Sequence, residues 1–76
     1  MNAERRKALA EIQDRISDIY SDLEAIKDEE DEYKENIPEN MQSGERYEKA
    51  EEAVNALESA LDSLEEARDY IDTATE

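Results

Sequence analysis

Five consecutive acidic residues, Asp28 to Glu32, form the densest group of oxygen ligands in the chain. A Ca²⁺-binding loop takes its ligands at alternating positions and needs glycine at the sixth. Counted from Asp28, the sixth position is Tyr33. The apolar spacing around the run is also helical, so we expect no Ca²⁺ loop here and no other metal or cofactor.

The sequence offers few catalytic side chains. The chain has no Cys and no His, which excludes thiol and imidazole nucleophiles, disulfides, the usual zinc patterns and the Glu-x-x-His pairs of bundle di-metal sites. Paired carboxylates act as general acid and base only where a cleft keeps one of them dry. A hairpin of two helices has no such cleft, so the sequence predicts a protein that is not an enzyme.

The net charge of −15, from 24 acidic and 9 basic residues, restricts the partners. Phosphate contacts require Lys or Arg, and the only basic cluster is Arg5, Arg6 and Lys7, either a solubilising helix start or a contact to a partner. We therefore expect no direct binding of nucleic acid and no binding to anionic membranes. Because no stretch is apolar enough to span a membrane and the start is not signal-like, we expect a cytoplasmic protein.

Apolar residues recur at alternating intervals of three and four along two segments, the pattern of helices with one apolar seam each. The first series is Leu9, Ile12, Ile16, Ile19, Leu23, Ile26, Tyr33 and Ile37, with Glu30 in the missing slot. The second series is Tyr47, Ala50, Val54, Leu57, Leu61, Leu64 and Ile71, with Arg68 in the missing slot. Period-two alternation is absent, so the sequence predicts an all-α chain.

The single Pro and the single Gly both lie between the two series. Pro38 disfavours helical geometry at the residue before it, and Ser43 is a good N-cap candidate for the second helix. The sequence therefore predicts one domain, 1–76, with helix 1 over about 3–36, a turn over 37–43 and helix 2 over about 44–74. So short a turn predicts a two-helix antiparallel hairpin with Met41 covering the end of the seam.

Pairing residues whose numbers add to 83 or 84 gives the register of the hairpin. Leu23 then lies opposite Leu61, and Ile26 lies opposite Leu57. On the flank, Lys27 falls beside Glu58 and Lys34 falls beside Glu51. Such exposed pairs specify register more than stability.

Ala53, Ala60, Ala67 and Ala74 recur every seven residues beside the second seam. This repeat reflects either helix propensity alone or a smooth flank that another helix can approach closely. The second interpretation predicts that two hairpins form an antiparallel four-helix bundle. Tyr20 flanks the first seam and is a candidate for the same interface.

Glu30 and Arg68 are charged residues in apolar seams, and they lie too far apart along the hairpin to meet within one chain. A twofold axis at the Leu23 and Leu61 layer brings Glu30 of one copy level with Arg68 of the other. We therefore predict that this pair fixes the antiparallel register of the dimer.

The acidic surface is the remaining feature that could carry a function. Fifteen net charges on a hairpin about 50 Å long give roughly one charge per 3.3 Å, and a dimer gives roughly one per 1.7 Å, the axial density of duplex DNA. Four residues on the outside of helix 2 are the candidate partner-binding surface: Asp62, Glu66, Asp69 and the exposed Tyr70.

The segments "ERRKAL", "DEEDEYKENIPENMQSGERYEKAEEAV" and "LDSLEEARDYI" resemble a group of small acidic proteins encoded in bacterial phages and prophages. The resemblance implies a phage context, and such proteins include inhibitors that imitate DNA to block host defence nucleases. In architecture the chain is also similar to plasmid-encoded Rop-type hairpin dimers, whose RNA-binding basic faces it lacks. Two functions stay open: an acidic module that occupies the basic groove of a nucleic-acid-binding host protein, and a structural or assembly protein whose charge only confers solubility.

Overall fold

The computed structural model describes residues 1–76 as two long helices without strands. Helix α1 is Ala3–Glu35 and helix α2 is Glu45–Thr75, with a short 3₁₀ turn at Glu39–Met41 between them. The helices pack against each other as a hairpin 59 Å long and 15 Å by 12 Å in cross-section. The predicted all-α hairpin is therefore confirmed for the single chain.

The ends of the helices follow from capping and from proline. At the start of α1, the Asn2 side chain accepts a hydrogen bond of 2.8 Å from the backbone N–H of Arg5. The chain leaves α1 through Asn36, two residues before Pro38. The prediction of Ser43 as N-cap is wrong by one residue, since Gly44 holds that position and gives α2 no side-chain cap.

The core of the single chain is small and lies mainly on α2. Only four residues are buried: Ile37, Ala50, Val54 and Leu61. None of them belongs to α1. Because two helices touch along a single line, the remaining apolar residues lie at the edge of the contact, where water reaches them. The hairpin therefore exposes much of the apolar seam that the spacing of its residues predicts.

The contact line on α1 is rotated away from part of the predicted seam. Ile19 and Ile26 are 52% and 55% exposed. Their neighbours Tyr20 and Lys27 are half-buried, and the Lys27 side chain is only 19% exposed. The aliphatic stem of Lys covers apolar surface while its amine stays in water, so α2 packs against this side of α1 and leaves the isoleucines uncovered.

Two predicted core residues near the turn are also more open than their positions in the seam predict. Tyr33 is 42% exposed, because its hydroxyl accepts a hydrogen bond of 2.8 Å from Nε of Arg46 at the rim of the hairpin. Met41 is 46% exposed and does not close the end of the seam. Ile37, which is buried, fills that place.

Candidate acidic surface and neutral face

Almost every carboxylate of the hairpin is exposed to water. Of the 24 acidic residues, all are exposed except Glu30 and Asp31, which are half-buried. Within the acidic run from Asp28 to Glu32, three residues are exposed to water: Asp28, Glu29 and Glu32. A helix turns about 100° per residue, so a run of five cannot keep every member on the outside.

Few of these carboxylates are neutralised within the chain. The four salt bridges are all local, within four residues in sequence, and they involve Asp28, Asp31, Glu35 and Glu45. The other twenty acidic residues form no salt bridge. The negative charge of the surface is therefore available to a partner.

Lys27 and Lys34 are the two half-buried lysines, and they lie against the contact between the helices. A hydrogen bond to Asp28 at 2.9 Å raises the pKa of Lys27 above its usual 10.5, against the effect of burial, and Glu58 on α2 adds to the increase. Burial lowers the pKa of Lys34, but the hydrogen bond to Asp31 and the charges around it outweigh burial and raise it. Lys34 forms its salt bridges within α1, with Asp31 and Glu35.

The four residues of the candidate partner-binding surface are all exposed. Asp62, Glu66 and Asp69 are spaced by four and three along α2, so their carboxylates lie on one side of the helix. Tyr70 is 68% exposed and is the most open large apolar residue of the chain. None of the three carboxylates forms a salt bridge within the chain.

Arg68 has partners within its own chain. Its guanidinium donates a hydrogen bond of 3.0 Å to Ser17 Oγ and lies 5.1 Å from the centroid of the Tyr20 ring. Beside it, Gln13 Nε2 donates to the Arg68 carbonyl at 3.2 Å and to Asp72 at 2.6 Å. These contacts place Tyr20 and Arg68 together on one side of the hairpin, the side that also carries Lys27.

Glu30 has no such partner. It is half-buried and forms neither a salt bridge nor a side-chain hydrogen bond within the chain. Its predicted pairing with Arg68 of a second copy concerns a dimer, and it stays a prediction.

The opposite side of the hairpin carries a surface that the seam pattern does not predict. We call it the Ile/Ala face, and it consists of Ile12, Ile19, Ile26 and Tyr33 of α1 with Ala53, Ala60 and Ala67 of α2. The contact of Tyr33 with Arg46 places the two columns on the same side, because each column repeats every seven residues from one member of that pair. The three alanines of the face are all half-buried.

The α2 half of this face contains no acidic residue. The alanine column of the face begins at Arg46 and ends at Ala74, and the heptad column next to it on the outer side of α2 holds Lys49, Ala56, Ser63 and Tyr70. The other positions of α2 hold ten carboxylates. The absence of Asp and Glu from these two heptad columns is the sequence signal that identifies this face.

The structure has no pocket and no group of three or more His, Cys, Asp or Glu side chains that could hold a metal ion. Neither helix is sufficiently long and apolar to cross a membrane. The chain matches no protein-family model, no curated protein and no solved structure.

Proposed function

We propose that the protein is a small acidic binding protein, not an enzyme, that acts in the cytoplasm by occupying a basic groove on a nucleic-acid-binding protein. In a phage context this activity is that of a DNA-mimic inhibitor of a host defence protein. The observation that carries the proposal is the exposed charge: twenty-two exposed carboxylates, most without any salt bridge, on a rod of 59 Å.

The charge density of this rod supports a groove built for nucleic acid as the target. Fifteen net charges over 59 Å give about one per 3.9 Å, and two copies side by side give about one per 2 Å. Duplex DNA carries about one per 1.7 Å of axis. The longer rod makes the density of a dimer slightly lower than the sequence predicts, but it remains close to that of a duplex.

Dimerisation into an antiparallel four-helix bundle is part of the proposal. A single hairpin with four buried residues has little core, and a partner chain is the usual remedy for a chain of this size. Joining two copies also doubles the charge per unit length, which strengthens attraction to a basic groove.

A displacement experiment tests the function. A labelled duplex of about 18 base pairs, which matches the length of the rod at about 3.4 Å per base pair, is bound to each member of a panel of purified bacterial nucleases. We expect the protein to displace the duplex from at least one of them, with an affinity that falls steeply as salt is added. If the protein displaces the duplex from none of these nucleases at low salt, the proposal is contradicted.

The alternative is a structural or assembly protein whose charge confers solubility alone. The exposed Ile/Ala face supports it, because a surface that binds other copies of the chain accounts for assembly without any partner protein that carries a basic groove. A protein that forms dimers or larger assemblies and displaces no duplex would favour this alternative.

A further inference from the structure

The Ile/Ala face is the one broad surface of the hairpin on which apolar side chains remain uncovered. Ile19 and Ile26 are each more than half exposed at its centre, with Tyr33 at its end. An exposed apolar strip of this length on a soluble domain marks a contact surface. The Ala column beside it permits close approach of another helix.

We propose that a second copy of the chain docks on the Ile/Ala face, antiparallel to the first, with Ile19 of each copy against Ile26 of the other. This inference deepens the dimer within the proposed function by naming its surface and its register. It places Tyr20 and Arg68, which lie together on the opposite side, outside the contact between copies.

The area of the chain matches that occupant. A compact protein of 8.8 kDa exposes about 4,800 Å² of surface. This chain exposes 5698 Å², an excess of about 900 Å². One side of a stable protein interface buries about 800 Å². Covering one face of the hairpin would therefore bring its exposed surface close to that of a compact protein.

The charges at the edge of the face favour an antiparallel copy. A twofold axis midway between Ile19 and Ile26 pairs residues of α1 whose numbers add to about 45. It brings Arg15 of one copy level with Glu29 of the other, and these two residues lie in the same heptad column at the rim. Neither forms a salt bridge within its own chain. Two such pairs form per dimer, and they oppose the repulsion between the two Asp22 carboxylates at the axis.

The ends of the face follow the same register. Arg5 precedes Ile12 by seven residues and so continues its column, and the axis places Arg5 beside the turn of the other copy, beyond the end of α1 at Glu35. Ile12 lies level with Tyr33 of the other copy. On α2 the axis lies near Leu61, so Ala53 of one copy lies within one helical turn of Ala67 of the other, and these small residues let the α2 helices approach closely.

Disulfide trapping tests the register directly, because the natural chain has no cysteine. Copies carrying Ile19→Cys are mixed with copies carrying Ile26→Cys and oxidised mildly. We expect the mixed dimer to form several times faster than either homodimer, since a disulfide requires Cα atoms within about 7 Å. Preferential trapping of the two homodimers would overturn the antiparallel arrangement.

Ser21→Cys and Glu24→Cys provide the matched control pair. Their numbers also add to 45 and both are exposed, but they lie on the side of α1 away from the Ile/Ala face. We expect no preferential trapping for this pair. Trapping equal to that of the isoleucine positions would show that another side of the hairpin carries the contact.

Sedimentation equilibrium of Ile19→Gln and Ile26→Gln tests the face without changing the charge. Each substitution affects two sites per dimer, and we expect the dissociation constant to rise by about 100-fold or more. Met41→Gln is the control, because Met41 is an exposed apolar residue outside the face, and its effect should be below about threefold. A natural protein that is monomeric at about 100 μM would overturn the inference, whereas an intact dimer that displaces no duplex would contradict only the proposed function.

Discussion

Lys27 packs its side chain more deeply into the hairpin than the isoleucine beside it. The Lys27 side chain is 19% exposed, whereas Ile26 is 55% exposed. The lysine stem lies in the groove between the helices and its amine reaches Asp28 at 2.9 Å. The apolar residue faces outward on the Ile/Ala face, where the single chain leaves more than half of its surface uncovered.

Truncation of Lys27 should therefore destabilise the protein through lost packing. We expect Lys27→Ala to lower the free energy of unfolding by about 1 kcal/mol, because it removes the covered methylene groups. Lys27→Met, which retains most of the stem, should recover most of that loss. Lys49→Ala is the control, because the Lys49 side chain is 73% exposed, and we expect it to cost less than about 0.5 kcal/mol. Chemical denaturation at one protein concentration measures all three, and equal losses in Lys27→Ala and Lys27→Met would show that charge decides the effect.

The raised pKa of Lys27 predicts how its charge contributes at high pH. The pKa in the folded protein lies above the ordinary value of 10.5, so the protonated amine is favoured by folding. This contribution is fully present below pH 10.5 and is lost as the pH rises through the folded pKa. Denaturation of the natural protein and of Lys27→Met between pH 9 and about 11.5 should show the two stabilities converging at the alkaline end. A difference that stays constant over this range would contradict the charge contribution.

Salt should stabilise this protein. Repulsion among twenty carboxylates without salt bridges exceeds the attraction within four local pairs, so screening by salt weakens the repulsion more than the attraction. We expect the melting temperature to rise by several degrees from low to moderate salt at fixed protein concentration. Neutralising Asp62, Glu66 and Asp69 as Asn, Gln and Asn changes the net charge from −15 to −12 and should reduce this salt dependence. A melting temperature that falls with salt would mean that attractive pairs dominate.

Charge reversal of Asp62, Glu66 and Asp69 tests the candidate partner-binding surface. The three side chains are exposed on one side of α2, away from the Ile/Ala face, so the triple Lys variant should keep its fold and its dimer. We expect its affinity for a nuclease that the natural protein displaces from duplex to fall by about tenfold or more, with a weaker salt dependence.

The matched control reverses Glu4, Glu11 and Asp14, which are also exposed and carry the same charge. It should reduce affinity less, because it lies at the end of the rod beside the basic N-terminal cluster. Affinity unchanged by the α2 triple would favour the structural alternative, and equal losses in both triples would show that net charge alone sets the binding.

The sequence predicts the two helices and their antiparallel arrangement because alternating steps of three and four, broken at Pro38, leave few other solutions. It does not predict which part of the apolar arc the second helix covers. The heptad pattern treats Lys27 as polar, although its stem packs as an apolar group, so the pattern assigns Ile26 to the place that Lys27 takes. The predicted register places Arg68 level with residues 15 and 16, but it does not predict that the guanidinium contacts Ser17 and Tyr20 on the Lys27 side of α1.

Glu30 occupies a seam position of α1, is half-buried and has no salt bridge or side-chain hydrogen bond within the chain. A twofold axis near Leu23 puts Glu30 of one copy level with Arg68 of the other, and the pairing predicted from the sequence would fix the register of the dimer. Docking on the Ile/Ala face leaves Arg68 outside the contact between copies, so the two arrangements exclude each other. Removing one member of a buried pair leaves an unpaired charge and costs about 3–5 kcal/mol when the pair is fully enclosed. Since Glu30 is half-buried, the cost here should be smaller.

If the predicted pair forms, Glu30→Leu and Arg68→Leu each weaken the dimer more than the double substitution does, as measured by sedimentation equilibrium, whereas docking on the Ile/Ala face gives additive effects. The in-chain contacts of Arg68 compete with this pairing. If its hydrogen bond to Ser17 and its stacking on Tyr20 persist in the dimer, Arg68 does not reach Glu30. In that case Glu30→Leu alone would strengthen the dimer and the two effects would be additive. A cycle of Tyr20→Leu with Arg68→Leu, which we expect to show coupling of about 0.5–1 kcal/mol in the folding of the chain, separates the in-chain role of Arg68 from its role between copies.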